Sequence, residues 1–387
     1  MKLKEIRVEG YRSLVDVTLP LRDLMVMIGP NGAGKTALLE VFVLLRCAAG
    51  KQLAGRLQVL GGAQAILSRT AERPDRLGVS LLIDVESEQS PELMNYRFEL
   101  TPRGTGYALP FERLEWKWDP SADKPFRYID ARYEQVHYTD PETHRMVSPT
   151  WEYNLLELAL AQVPQMYVEP ESLRRLLANS QSYSFLDVSQ RAVVRLPQLL
   201  TPVKRPDHNG ENLYSALYNL RASDLDTYGQ IEELLHLSFP GFQRLEFPVV
   251  GAGQVTMTWH QKGITGQLYP NELSEGTLRF LWLVTVLLSP DTPALTLIDE
   301  PEVSLHPELL KLLAGVLQDA ALRGQVLVAT HSPDLIRWLE PEQVLVTEKN
   351  EMGVTHFTWA DSLNLQAWLE EYTLRDLWLM GTLGGRP

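Results

Sequence analysis

One octapeptide restricts this chain more than any other stretch. Gly29-Pro30-Asn31-Gly32-Ala33-Gly34-Lys35-Thr36 fills the pattern G-x-x-x-x-G-K-[ST]. It follows a short apolar run, Leu24 to Ile28, and precedes an amphipathic run, Thr36 to Cys47, whose apolar positions are Leu38, Leu39, Phe42, Val43 and Leu45. Strand, glycine-rich turn and helix in that order demand an α/β fold that presents the loop at the carboxyl end of a strand. The glycines let the backbone curl so that successive N–H groups point at an anion, and the helix N-terminus adds its dipole. In such a loop Lys35 is expected to reach the β- and γ-phosphates of a nucleotide, and the Thr36 hydroxyl to reach the Mg²⁺ that bridges them.

Three further stretches carry chemistry. The apolar run Ala294 to Ile298 ends in Asp299-Glu300-Pro301-Glu302, so a buried strand delivers carboxylates at its carboxyl end. Asp299 is the candidate for the Mg²⁺ shell, and Glu300 for the general base that polarises an attacking water. A second run, Val326 to Ala329, leads into Thr330-His331-Ser332, which places His331 31 residues beyond Glu300 as a candidate contact to the γ-phosphate. Ahead of the apolar helix expected from Leu278 to Leu288 stands Asn271-Glu272-Leu273-Ser274-Glu275-Gly276-Thr277, where Ser274 and Gly276 are placed to cap that helix and offer its amides to an anion.

The rest of the chain sets limits. A length of 387 residues at 44% hydrophobic and 22% charged suffices for one large core or two modest ones. Met1 to Leu14 alternates apolar and charged residues without an export-type apolar segment, and no apolar run reaches the roughly 18 residues of a membrane helix. Cys47 is the single cysteine and reads as a small buried filler, so no internal disulfide is expected and a reducing cytoplasm fits. A net charge of −13 argues against indiscriminate nucleic-acid binding. One local basic patch, Arg174, Arg175, Arg191, Arg195, Lys204 and Arg205, is the candidate for DNA contact, against the plainer reading of solvated helix faces.

The pattern suggests three regions. Residues 1–110 are strand-rich and hold the glycine loop, with a hairpin expected over Leu3 to Leu19 and strands at Val79 to Val85 and Tyr96 to Leu100; a further strand is expected just beyond the boundary, at Leu114 to Trp118. Residues 111–240 are punctuated by proline and read as an inserted, mainly helical lobe, with short helices at Tyr153 to Gln162, Glu171 to Leu177 and Leu213 to Leu220 and no long coiled coil. Residues 241–387 return to strands and helices, with a late hairpin at Gln343 to Glu348 and Val354 to Thr358.

In order and wording these motifs resemble the ABC-type ATPases of the RecF and SMC group, and within it the stand-alone ATPases of the AAA family. GPNGAGKT looks like the Walker A loop, LSEGT like the LSGGQ-type signature, ALTLIDEPE like Walker B and ATHS like the switch histidine. Leu305-His306-Pro307 resembles the group's D-loop, and Gly10-Tyr11-Arg12-Ser13-Leu14 its N-terminal turn, which makes Arg12 and Ser13 candidate nucleotide ligands beside Asn31, Gly32, Ala33, Gly34, Lys35 and Thr36. The resemblance implies a mixed sheet with flanking helices and an antiparallel β subdomain. It also implies an ATPase that needs Mg²⁺ and dimerises head to tail, Ser274 and Gly276 of one subunit covering the nucleotide of the other. Glu300, His331 and Lys35 would be the catalytic residues. The glutamine that the family sets against Mg²⁺ has Gln64 as its candidate, with Gln58 behind it. Glu275 and Thr277 stand where the signature has a glycine and a glutamine. Two roles follow from the resemblance: a switch in DNA repair, recombination or genome maintenance, or a sensor that gates an effector such as a nuclease in a bacterial defence module. The 56 residues after His331 are short for the Toprim nuclease domain of the OLD-type relatives, and the 238 positions from Thr36 to Ser274 are long for a transporter subunit.

Overall fold

In the computed structural model, residues 1–70, 75–85, 93–117 and 125–384 are described. Two sheets and the helix between them position everything that matters for the site. Near the N-terminus, Lys2–Tyr11 and Leu14–Pro20 pair as the expected hairpin, Val8 opposite Val17. Leu77–Asp84 and Leu93–Arg103 extend the sheet on the other side of the first strand. It then continues through Gly106–Lys117, Phe126–Arg132, Gln135–Thr139 and Met146–Val147, antiparallel throughout.

The second sheet runs in the order Gln181–Tyr183, Leu295–Asp299, Gln325–Ala329, Leu24–Ile28, Val344–Lys349, Thr355–Trp359, with only the last strand antiparallel. Leu24–Ile28 is buried along its whole length, as a strand covered on both faces must be. Its side chains alternate between two cores. Met25 and Met27 face the helix Lys35–Ala49 and, through Phe42, Leu38 and Val41, the aromatic face of the antiparallel sheet at Tyr96 and Phe98. Leu24, Val26 and Ile28 face the other way, onto the helices Glu275–Leu288 and Pro307–Ala321. The layers are therefore antiparallel sheet, helix, parallel sheet, helices. Each fully buried leucine or phenylalanine in them contributes roughly 1.5–3 kcal/mol.

The stretch 111–240 departs from the single helical lobe expected for it. The strand Gly106–Lys117 runs straight through Pro110. Glu99 pairs with Phe111 and Thr101 with Ala108, so Pro110 falls at a bulge, where its missing N–H leaves no ladder bond unmade. Strand structure then continues to Val147, and the helix expected from Tyr153 is confined to Ala159–Gln162. The helix Val168–Ala178 packs on Lys35–Ala49, within the first core. The helices Leu213–Ser223 and Leu225–Ser238 belong to the second. In the third region, the alternating run Val255 to Trp259, which reads as one strand in the sequence, is broken into Gln254–Val255 and Thr258–Gln261. Trp118, the end of one expected strand, lies outside the described residues. Cys47 is half-buried rather than fully enclosed. Among the described residues no helix is long and apolar enough to cross a membrane.

Candidate functional site

The glycine loop emerges from Leu24–Ile28 and is held from behind by the late hairpin. Thr355, itself buried, donates its N–H to the Ser13 carbonyl at 2.9 Å. Its Oγ1 lies 2.8 Å from Ser13 Oγ and donates to the Ala33 carbonyl at 2.7 Å. The contact leaves no space at Gly34, where a Cβ would sit 2.3 Å from Thr355 Oγ1, and the φ of 119° there is one that side chains avoid. Loop, N-terminal turn and C-terminal hairpin are thus one construction.

Lys35 opens the helix and is buried, its Nζ donating to the loop's own carbonyls at Gly29 (2.6 Å) and Pro30 (3.2 Å). Burial pulls its pKa down to about 8, against the opposing pull of Asp299, Glu300 and Glu302. Those acids arrive on Leu295–Asp299, the strand two places away, and on the turn after it. Burial, then repulsion from Glu300 and Glu302, pushes Asp299 up to about 6. Glu300 is exposed and turns the chain at φ 50°, its N–H donating to the Ala329 carbonyl at 2.8 Å. His331 follows the intervening strand Gln325–Ala329, and burial together with the Lys35 charge lowers its pKa, favouring neutral imidazole.

A cleft of about 750 Å³ collects Lys35, Glu300 and His331, while Asp299 is not among the residues that line it. Arg12, Ser13, Asn31, Gly32, Ala33, Gly34, Lys35, Thr36, Glu300 and His331 line it together. A neighbouring cavity of about 490 Å³ shares Asn31, Glu300 and His331 and adds Glu302 and Leu305. Arg12 stands at φ 47° and pairs with Glu40, Nε to Oε2 at 2.8 Å, which also accepts from the Tyr11 hydroxyl at 3.1 Å. Glu40, Arg69, Thr70, Lys349 and Met352 also line the cleft, yet none belongs to a motif that a sequence pattern picks out. Glu302, which lines the neighbouring cavity, has no assigned position in these motifs either. Its only advance signal is its place directly after Glu300-Pro301.

Other sequence candidates lie elsewhere. Gln64 is exposed on the short helix Ala63–Ile66 and does not line the cleft, although Ala65 and Leu67 beside it do. Ser274 and Gly276 are also absent from the cleft of their own chain. Ser274 caps the helix Glu275–Leu288, its Oγ accepting from the Thr277 N–H at 3.1 Å, and remains exposed. Gly276 lies against the loop after the acids, where an added Cβ would meet the Ser304 carbonyl at 2.4 Å. Arg195 fixes this signature loop, its Nη1 donating to the carbonyls of Pro270 (2.5 Å) and Leu273 (3.0 Å).

That role takes Arg195 out of the basic patch, and others follow. Arg174 and Arg175 both bind the buried carboxylate of Glu171. Arg205 stacks on Tyr183 and donates to its hydroxyl at 2.7 Å and to the Asp291 carbonyl at 2.9 Å. Of the six basic residues, Arg191 is exposed and Lys204 partly so, without a comparable anchor among the described residues.

Among the described residues no group of three or more His, Cys, Asp or Glu side chains is arranged to hold a metal ion by itself, so a divalent cation here would rest on Asp299, Thr36 and the nucleotide's own phosphates. Asp299 accepts no hydrogen bond from a described residue, the Thr36 hydroxyl is exposed without a protein partner, and both are the hard oxygen donors that Mg²⁺ takes.

Comparison with known proteins bears on the family and the fold. An "OLD nuclease" from Thermus scotoductus is 46% identical over 43 residues, 11% of this chain and 8% of the relative. A Streptomyces coelicolor protein named "Putative ABC transporter ATP-binding protein" is 39% identical over 87 residues, 22% of this chain and 15% of the relative. The matched stretches therefore span a small part of either protein. A solved Smc head bound to the C-winged helix domain of ScpA superimposes at a TM-score of 0.56, covering 92% of this chain and 97% of that one at 11% identity, a likeness of fold. Residues 24–337 match the family model described as "AAA domain, putative AbiEii toxin, Type IV TA system". With its phosphate loop, carboxylate strand and histidine strand side by side in an Smc-head-like sheet, the chain belongs to this AAA-domain family of P-loop ATPases.

Proposed function

We propose that the chain is an ATP-hydrolysing switch that closes head to tail as a homodimer. The observation that carries the reading is the division of its motifs: Lys35, Thr36, Glu300 and His331 meet in one cleft, while Ser274, exposed at the N-terminal end of an otherwise buried helix, lies outside it. A second copy would supply the missing wall.

The loop amides and Lys35 would hold the β- and γ-phosphates, Lys35 exchanging the Gly29 and Pro30 carbonyls for phosphate oxygens. Thr36 and Asp299 would hold Mg²⁺, which neutralises charge on the phosphates. Glu300, exposed at the mouth, would take a proton from the attacking water as its oxygen bonds to the γ-phosphorus. The bond to the β-phosphate oxygen breaks, releasing ADP and phosphate. Neutral His331 would donate a hydrogen bond to the γ-phosphate. Ser274 and the amides at Gly276 of the partner would close over the same group.

Two roles remain for such a switch, work on DNA in repair or genome maintenance and gating of an effector protein in a defence module. The second is favoured by the basic residues, because Arg174, Arg175, Arg195 and Arg205 are spent on internal contacts on a chain of net charge −13. The deciding experiment is the solution mass of Glu300→Gln with and without Mg²⁺-ATP, beside wild-type turnover with and without duplex DNA. An ATP-dependent dimer whose turnover ignores DNA supports the gating switch. DNA-stimulated turnover returns the role to genome maintenance, and a protein that stays monomeric with ATP overturns the dimer mechanism.

A further inference from the structure

Asp299, Glu300 and His331 have roles in the proposed reaction, yet the best-enclosed acid of the turn has none. Glu302 lines the cavity that adjoins the nucleotide cleft, together with Glu300 and His331. Its Oε1 accepts a 2.6 Å hydrogen bond from the backbone N–H of His331, 29 residues away in sequence. Its Oε2 is buried and makes no well-formed hydrogen bond among the described residues, although the neighbouring Thr330 hydroxyl helps to hold the carboxylate. A buried carboxyl with one oxygen well bonded and the other not costs stability unless something else requires it. The backbone suggests what. The Glu300 N–H reaches across to the Ala329 carbonyl at 2.8 Å, and Glu302 makes the return stitch to His331. The turn carrying the general base and the turn carrying the histidine are thereby fastened at two points. Of the two, only the Glu302 bond fixes the histidine's own backbone.

We infer that Glu302 is a positioning residue that sets His331 against the reacting γ-phosphate by holding its backbone N–H, and so couples the histidine turn to the Glu300 turn. The inference rests on the ATPase reading above. Glu302 itself touches no substrate: it acts through His331. A polar acceptor at this position is what the geometry needs, so glutamine, which keeps a carbonyl oxygen in the place of Oε1, should serve, whereas alanine should not.

The test is a set of four proteins, wild type, Glu302→Gln, Glu302→Ala and His331→Ala, with the Glu302→Ala/His331→Ala double variant, each assayed for nucleotide affinity and for turnover. Glu302→Ala is expected to lower kcat by about tenfold or more while the affinity for ATP changes less than about twofold. Glu302→Gln should recover most of that loss, and Glu302→Ala should cost nothing further once His331 is alanine. Amide hydrogen exchange gives an independent reading, with the His331 N–H protected in wild type and Glu302→Gln and fast in Glu302→Ala. Normal kcat in Glu302→Ala, a loss of affinity equal to the loss of kcat, or an undiminished cost in the His331→Ala background would each overturn the inference. Absence of turnover in the wild-type protein would sink the ATPase reading and this inference together, an outcome distinct from the other three.

Discussion

Two carboxyl groups, each withdrawn from water, are treated in opposite ways. Glu112, in the antiparallel sheet, is 2% exposed, and its oxygens accept hydrogen bonds from the Tyr96 hydroxyl and from the backbone N–H groups of Ala159 and Leu160. It fastens the short helix at Ala159 to the sheet. Glu302, in the parallel sheet's acid turn, accepts the His331 N–H, has the Thr330 hydroxyl beside it, and keeps a buried oxygen without a well-formed hydrogen bond near two more acids. Saturated polar groups hold a fold together. The antiparallel layer uses its buried carboxyl in that way, whereas the parallel layer uses Glu302 to place His331 at the edge of the nucleotide cleft.

The contrast can be broken at either end. Glu112→Ala strands three donors at once and should cost about 4 kcal/mol, read as a shift of the urea midpoint, with the ATP affinity of the folded protein unchanged. A loss under about 1 kcal/mol would show that Glu112 is not the fastening it appears in the geometry. Next in size comes a pH effect at the same residue. Burial raises the Glu112 pKa from 4.5 to about 7 in spite of its donors. Below 4.5 both folded and unfolded chains hold the proton. Between 4.5 and about 7 only the folded chain keeps it, so stability falls as pH rises, and above that the penalty is constant. The Glu112 contribution to this fall is about 3 kcal/mol, and Glu112→Gln should remove it, flattening unfolding curves across that window. At the other site, Asp299→Asn relieves repulsion among three acids and should leave thermal stability equal or slightly raised while turnover falls about a hundredfold. A destabilised Asp299→Asn protein would erase the distinction between the two layers. The smallest effect is expected at Arg191→Glu: a stability change within about 0.5 kcal/mol and no change in duplex binding at moderate salt. A lost DNA-binding slope would restore the basic patch as a surface.

How much could be read in advance follows the same division. The glycine loop, the acid strand and the histidine were legible because phosphate chemistry demands particular residues at fixed local spacing, and Leu24–Ile28, Leu295–Asp299 and Gln325–Ala329 lie where their apolar runs predict. Their meeting in one cleft depends on parallel pairing, which the order of motifs announced. The cleft's other walls were not legible. Lys349 and Met352 come from a hairpin more than 300 residues downstream of the loop, and no local pattern marks them. Proline is a poor guide to 111–147, since Pro141 punctuates the sequence but sits in the turn that joins the strands Gln135–Thr139 and Met146–Val147. The basic patch misled in another way, because a run of arginines is visible in sequence and the carboxylate and carbonyls that absorb it are not.

The clasp at Thr355 has a bearing on how the protein is made. The bonds that seat the loop join Ala33 to Thr355 across 322 positions and Ser13 to Thr355 across 342. A ribosome adding roughly 5–20 residues per second has released the glycine loop for tens of seconds before the threonine that seats it is synthesised. During that interval the nascent chain carries every residue of the loop motif without the architecture that shapes it. Nucleotide therefore meets a finished pocket only once nearly the whole chain has folded, and an interrupted translation product is left without the threonine that seats its loop.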